Sequence, residues 1–208
     1  MTVPDFRIER EILRKGFQAI AGLDEVGRGA LFGPVVAASV ILPLSAIQKK
    51  KSGWLREIED SKRLSPTKRR ELAKLIVTHA ESTGIGLASH AEVDKKNVYW
   101  ASLEAMKRAF ASMSRKPDFL LVDGFNLNDV NYPQMRVPKG DQKSISIAAA
   151  SIVAKVFRDE MIIRLDPLFA GYSLAKNKGY GTKEHFKALH DLGPTAFHRR
   201  SFNLEGKR

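Results

Sequence analysis

The stretch from Ile20 to Leu42 constrains this chain more than any other. It reads Ile-Ala-Gly-Leu-Asp-Glu-Val-Gly-Arg-Gly-Ala-Leu-Phe-Gly-Pro and then Val-Val-Ala-Ala-Ser-Val-Ile-Leu. A short apolar strand, Gln18 to Leu23, ends at two adjacent carboxylates, Asp24 and Glu25. A Gly27-Arg28-Gly29 turn follows, and then a continuous apolar run of strand length, Val35 to Leu42. Acidic side chains therefore stand where one buried strand stops and the next begins. A carboxylate there must be paired, hydrogen-bonded or bound to a metal, because a lone buried charge costs too much. The glycines permit close backbone approach, and Arg28 presents a planar fork suited to phosphate.

The remaining elements alternate. Asp5 to Gly16 reads as a helix, and Lys49 to Lys51 begin a loop ending in Asp60-Ser-Lys-Arg-Leu-Ser65. Ser65 caps a helix with Pro66 at its first position, running to about His79. Gly84 to Ser89 is a strand, Asn97 to Met113 a helix, and Asp118 to Asp123 a short buried strand that again runs into an acid followed by glycine, Gly124. Tyr132 to Val137 is one more strand. A loop, Pro138 to Ser144, then leads onto a long alanine-rich helix, Ile145 to Leu165, able to pack closely on a sheet. Strands alternating with helices indicate an α/β layer fold, read as one domain over 1–208. After Asp166-Pro167 the chain becomes a mostly helical C-terminal segment, with Tyr180 between Gly179 and Gly181 and a helix from Lys183 to Asp191.

Composition narrows the partners. The formal charge is +12, from 35 Lys and Arg against 23 Asp and Glu, which points to a polyanion such as nucleic acid. Cys is absent, so any metal must be held by oxygen or imidazole. The histidines show no metal-ligand spacing. No leader-like or membrane-spanning apolar run is present, and a cytoplasmic location is expected. A basic chain with acids at strand ends suits one chemistry in particular. Asp24, Glu25, Asp123 and Asp141 would converge to hold Mg²⁺ or Mn²⁺ ions about 3.5–4 Å apart, clamping the attacking and leaving oxygens of a phosphoryl displacement. Tyr180, flanked by glycines and basic residues, could expose its ring for stacking on a sugar or base.

Several motifs, in this order, resemble the bacterial ribonuclease HII family. They are Asp24-Glu-Val-Gly-Arg-Gly, Asp60-Ser-Lys-Arg-Leu-Ser, Leu121-Val-Asp-Gly, Lys139-Gly-Asp, Ile147-Ala-Ala-Ala-Ser-Ile-Val-Ala-Lys155, Lys178-Gly-Tyr-Gly-Thr and His198-Arg-Arg-Ser-Phe. The resemblance spans about Ile20 to Phe202. It implies a ribonuclease H-like fold with a mixed central sheet flanked by helices. It also implies an endonuclease acting on RNA–DNA hybrids and on ribonucleotide-containing duplex DNA, as a monomer. In such a protein the four acids bind the metals. Gly27, Arg28 and Gly29 read the ribose 2′-hydroxyl and adjoining phosphate, and Tyr180 stacks on the following sugar. Lys62, Lys143, Ser144, His198 and Arg200 fall in matching motifs as phosphate contacts.

Arg28 separates the resemblance from the sister ribonuclease HIII family, which has lysine there and an N-terminal substrate-binding domain for which the residues before the first strand leave no room. Phe32 stands where many relatives have a small residue, Arg63 replaces a frequent lysine, and no clamp-binding peptide is evident after Phe202. Two other classes compete. A non-catalytic basic nucleic-acid-binding protein would explain the charge and Tyr180 but has no use for four converging acids. A small-molecule phosphohydrolase would explain the acids but not the basic excess.

Overall fold

The computed structural model describes residues 3–49 and 53–206. Lys50 and Lys51, in the expected loop after the second strand, lie outside them. Five strands form one sheet: β1 (Ile20–Val26), β2 (Val35–Ile41), β3 (Ser82–Ala88), β4 (Phe119–Asp123) and β5 (Gln134–Val137). The helices are α1 (Arg7–Arg14), α2 (Leu44–Gln48), α3 (Pro66–His79), α4 (His90–Lys96), α5 (Val98–Ala111), α6 (Ile145–Leu165), α7 (Leu174–Asn177) and α8 (Lys183–Leu192). The strand order is β3-β2-β1-β4-β5. The β3-β2-β1 half is antiparallel and the β1-β4-β5 half parallel, so the sheet is mixed.

Both faces are covered. On one side α6 and α3 bury Ala148, Ala149, Ile152, Leu72 and Ile76 against Ala38 and Val40 of β2. On the other, α5 sets Ala101, Ala105, Met106 and Ala109 against Leu23, Ala37 and Val122. These contacts are close enough to demand glycine. A Cβ on Gly22 would lie 2.1 Å from the carbonyl carbon of Ser146 in α6, and one on Gly86 2.2 Å from the carbonyl oxygen of Ala105 in α5. The long helix is thereby seated over the middle of β1, close to the acids.

Some boundaries differ from the sequence reading. β1 continues through Asp24 and Glu25 to Val26, because β2 goes on pairing with it as far as Val26↔Val36. The single helix expected from Asn97 is preceded by α4, whose start is fixed by a reciprocal capping pair: the Ser89 hydroxyl accepts from the Glu92 amide, and the Glu92 carboxylate accepts from the Ser89 amide. Asn97, with φ +76°, breaks the two helices and caps α5. After α6 the chain forms α7 and α8, which with Leu31, Phe32 and Ile162 bury a separate apolar cluster of Tyr172, Leu174 and Leu189.

The start of α6 corrects one expected substrate contact. Ser144 is fully buried, and its hydroxyl accepts from the Ile147 amide at 3.2 Å as the helix cap. It donates in turn to Oε1 of Glu9, 2.6 Å away, which also accepts from the Ser146 amide. Glu9 is itself fully buried, and burial raises its carboxyl above the ordinary range. Ser144 thus ties α1 to α6 and has no face for a phosphate. Ser144→Ala should cost about 1–3 kcal/mol by removing a cap and a donor to a buried carboxylate. Denaturant unfolding should show that loss while KM for nucleic acid stays unchanged.

Candidate active site

The register of two parallel strands builds the site. β1 and β4 pair from Ile20↔Phe119 to Leu23↔Val122, and the next residue on each strand is an aspartate, Asp24 and Asp123. Beyond that point each strand keeps only its outer partner: Asp24 sits opposite Ala38 of β2, and Asp123 opposite Val137 of β5. The two carboxylates stand side by side at the carboxyl ends of neighbouring parallel strands, a position at which open α/β sheets bind ligands. Asp141 comes from the 3₁₀ turn Gly140–Gln142 just before α6. That turn is pinned to the strand end, because the Gly140 amide donates to Oδ1 of Asp123 at 2.6 Å. Gly140 packs closely on α6, since a Cβ there would lie 2.5 Å from Cδ1 of Ile147, which would have to shift. Lys139, at φ +55°, turns the chain into it.

Asp24, Glu25, Asp123 and Asp141 line one cavity of about 520 Å³ together with Gly27, Arg28, Gly29, Lys62 and Tyr180. Asp24 and Asp141 are 5% and 7% exposed, so these carboxylates are held largely out of water. Burial, followed by the charges of Glu25 and Asp123, pushes Asp24 well above the usual carboxylate range, against the Ser151 hydroxyl, which favours its charge. Glu25 is raised to about 7, chiefly by burial, with Arg28 opposing the shift and Asp123 adding to it. Asp141 is raised by burial and by Asp123 and Asp60, with Lys62 opposing.

A cluster that resists its own ionisation in this way is suited to a cation. Oε2 of Glu25 is buried without a hydrogen-bond partner, and every donor atom of the four is a carboxylate oxygen, the chemistry of a hard divalent ion. Among the described residues no three acids or histidines close on one point as a ready cage.

The Gly27–Gly29 loop is held from behind. Gly27 has φ +89°, and a Cβ there would fall 2.2 Å from Nε of Arg158, so the position excludes a side chain on both grounds. Arg158, fully buried in α6, donates to the carbonyls of Pro34, Lys178 and Phe32. Arg199, also fully buried, donates to those of Arg28 and Gly33. The Arg28 side chain itself faces outward, 46% exposed, 3.4 Å from Oε1 of Glu25 and over the Phe125 ring at 5.1 Å. Tyr180 also lines the cavity. Its ring lies 5.1 Å from Nζ of Lys155 and 5.3 Å from Cζ of Arg158, and a Cβ on its neighbour Gly179, at φ +80°, would lie 2.9 Å from the Phe32 carbonyl oxygen.

Of the weaker candidates, Lys62 lines the cavity, whereas Lys143 and Arg200 are exposed outside its lining. His198, like Ser144, is corrected: it is 1% exposed and bonded to His185 and Thr195, so it cannot reach a phosphate. The sequence reading missed Ser61, Ser151 and Lys155 in the cavity wall and the two buried arginines behind it. Ser151 and Lys155 had a signal, since they are polar residues four apart in an otherwise apolar helical run and therefore share a face. The Ser61 and Ser151 hydroxyls are 2.9 Å apart, and Lys155 also pairs with Asp159 at 2.8 Å.

Comparison with known proteins places this architecture. The family model for ribonuclease HII matches residues 21–205. The chain is 47% identical over 194 residues to the ribonuclease HII of Geobacter metallireducens, covering 93% of this chain and 88% of that one. It is 48% identical over 194 residues to that of Moorella thermoacetica, covering 93% and 91%. Among solved structures, the ribonuclease HII of a PCNA:RNase HII complex from Archaeoglobus fulgidus superposes with a TM-score of 0.73 at 25% identity, over 91% of this chain and 98% of that one. With its mixed sheet, its acids at the ends of β1 and β4, and this extent of shared sequence, the chain belongs to the ribonuclease HII family.

Proposed function

We propose that the cavity binds duplexes containing ribonucleotides and cuts on the 5′ side of the ribonucleotide, leaving 5′-phosphate and 3′-hydroxyl ends. The family is one of divalent-metal-dependent endoribonucleases that degrade RNA in RNA–DNA hybrids and ribonucleotides in DNA, and the chain is an enzyme of that class. The observation that carries the finer reading is the meeting of four carboxylates, the Gly-Arg-Gly loop and Tyr180 in one cavity. A non-catalytic binding protein would gain nothing from acids buried against their own repulsion.

Asp24, Glu25, Asp123 and Asp141 would hold two divalent ions, Mg²⁺ or Mn²⁺. When bound, such ions supply charge stabilisation for the phosphoryl displacement and lower the proton affinity of water. The chain's own groups do the rest. The Gly27–Gly29 backbone approaches the ribose and hydrogen-bonds its 2′-hydroxyl, the group that distinguishes RNA from DNA. Arg28, already turned outward, takes the adjoining phosphate with its fork. Tyr180 packs on the deoxyribose 3′ of the cut, where a further 2′-hydroxyl would crowd the ring, so a ribonucleotide followed by DNA is favoured. Lys62, Lys143 and Arg200 supply phosphate contacts along the flanking backbone. No helix among the described residues is long and apolar enough to cross a membrane. We take the chain to act as a single domain and as a monomer in the cytoplasm.

Asp24→Asn and Asp123→Asn should each abolish detectable cleavage while leaving duplex affinity, which comes from the basic surface, nearly intact. The same substitutions should have opposite effects on stability with and without metal. In chelator, Asp24→Asn should melt above the parent because one repelling charge is gone. With saturating Mn²⁺ the parent should gain more, because ions bound only to the folded state stabilise it. The sign with pH follows from Glu25. Its folded value of about 7 lies above the ordinary 4.5, so the folded state holds the extra proton between those values. The metal-free protein should therefore lose stability as pH rises through about 7, as read by thermal melts.

Arg28→Ala should lose most activity on a single embedded ribonucleotide, and Arg28→Lys should restore little, because a point charge does not reproduce the fork. Equal kcat/KM for all three proteins on that substrate would leave Arg28 a structural role only. Tyr180→Ala should weaken junction cleavage by about 1–3 kcal/mol, the worth of one stacking contact, with Tyr180→Phe losing far less and a continuous RNA strand affected less than the junction. A uniform loss on both substrates, with Phe as damaging as Ala, would assign the effect to the phenol hydroxyl.

A further inference from the structure

His185 and His198 lie outside the cavity lining and take no part in the chemistry above, yet both are buried, at 0% and 1% exposure. Their Nε2 atoms are 3.0 Å apart. The partners of the two remaining ring nitrogens settle which atom carries each hydrogen. Nδ1 of His198 lies 3.0 Å from the Thr195 backbone amide, which can only donate, so this nitrogen is an acceptor. Nδ1 of His185 lies 2.9 Å from the Tyr180 carbonyl oxygen, which can only accept, so this nitrogen carries a hydrogen. Two neutral rings then satisfy every contact in one direction: the Thr195 amide and the Thr195 hydroxyl, 2.9 Å from the same nitrogen, donate to Nδ1 of His198, Nε2–H of His198 donates to Nε2 of His185, and Nδ1–H of His185 donates to the Tyr180 carbonyl. A third hydrogen would set N–H against N–H at the shared contact. Burial holds both rings neutral: His185 is lowered chiefly by desolvation, and His198 is brought to about 4 by desolvation, then by His185, Arg200 and His90.

The chain of bonds starts and ends at functional segments. The His198 backbone bridges to Phe32 in the loop that follows Gly27–Gly29, and its neighbour Arg199 donates its amide to the Leu31 carbonyl at 2.8 Å. At the other end the Tyr180 carbonyl also accepts from the Thr182 amide at 2.8 Å, so the histidine supplies its second anchor. We propose that His185, held in its Nδ1–H tautomer by His198, is a positioning residue that anchors the Tyr180 carbonyl and so sets how strongly the enzyme prefers a ribonucleotide–DNA junction over continuous RNA. This deepens the reading of Tyr180 given above and rests on it.

Two variants of one residue separate the roles. An asparagine amide reaches roughly to the Nδ1 position of a histidine, and a glutamine amide to the Nε2 position. His185→Asn therefore keeps the donor to Tyr180 and loses the partner of His198, whereas His185→Gln does the reverse. The readout is the ratio of kcat/KM on a duplex with one ribonucleotide to kcat/KM on an RNA–DNA hybrid, with Tyr180→Ala alongside. His185→Gln should lower that ratio by about 5–10-fold, the worth of one hydrogen bond, and His185→Asn should leave it near the parent value.

Nitrogen-15 NMR of the parent protein near neutral pH should show His185 protonated on Nδ1, His198 on Nε2, and a scalar coupling between the two Nε2 atoms. If His185→Gln does not fold, these tautomers and the His185→Asn ratio decide. The proposal is overturned by His185 carrying its hydrogen on Nε2, by a cationic ring at neutral pH, or by His185→Asn shifting the ratio as far as His185→Gln. A ratio changed by Tyr180→Ala but by neither histidine variant overturns the pair alone. A ratio unmoved by Tyr180→Ala overturns the tyrosine reading together with it.

Discussion

The site depends on one feature of the sheet, the parallel register of β1 and β4. Because Leu23 pairs with Val122, the first residues past that pairing, Asp24 and Asp123, are neighbours. A one-residue slip would turn one aspartate to the other face and into the apolar layer beneath α5. The register is itself guarded, since Leu23 and Val122 pack into that layer while Gly22 admits the backbone of α6 on the opposite face. Packing beneath the helices thus sets the placement of these carboxylates. Asp141 is brought to them by the same helix, through the turn whose Gly140 amide is bonded to Asp123.

Charge of both signs is buried here, and the two are handled differently. The acids face a common cavity, and the raised proton affinities of Asp24, Glu25 and Asp141 make cation binding the natural way to relieve them. The arginines behind the loop face inward. Arg158 and Arg199 give their hydrogens to backbone carbonyls, although burial works against the charge on each. Hydrogen bonds from a charged donor are strong, and the two guanidiniums hold four carbonyls of the stretch from Arg28 to Pro34 and tie it to a fifth, that of Lys178. The outcome is a firmly bonded loop beside an acidic cluster that is poised rather than relaxed, as expected where function opposes stability.

Much of this was legible in the chain. An apolar run ending in an acid, seen at Leu23-Asp24 and again at Val122-Asp123, drew out two carboxylates that the fold sets side by side, and Glu25, Asp141, Arg28 and Tyr180, read as candidates with them, line the same cavity. Motif membership alone could not separate exposed contacts from internal ones. Ser144 and His198 sit in matching motifs for structural reasons, one as a helix cap and one as a ring in a buried hydrogen-bond chain. Sequence also hid the buried arginines, since a guanidinium that serves carbonyls of distant loops looks like any surface base until the fold closes around it. The end of β1 was misplaced because an acid reads as a terminator, whereas pairing with β2 carries the strand onward.

The central claim is that these four carboxylates, brought together by that register, are where the divalent ions act. Anomalous diffraction from crystals of the protein with Mn²⁺ and a non-cleavable ribonucleotide-containing duplex tests it directly. Manganese peaks should appear within coordination distance of Asp24 and Asp123 and beside the phosphate 5′ of the ribonucleotide. Manganese bound elsewhere, with the acids bonded only to one another or to water at saturating metal, would contradict it.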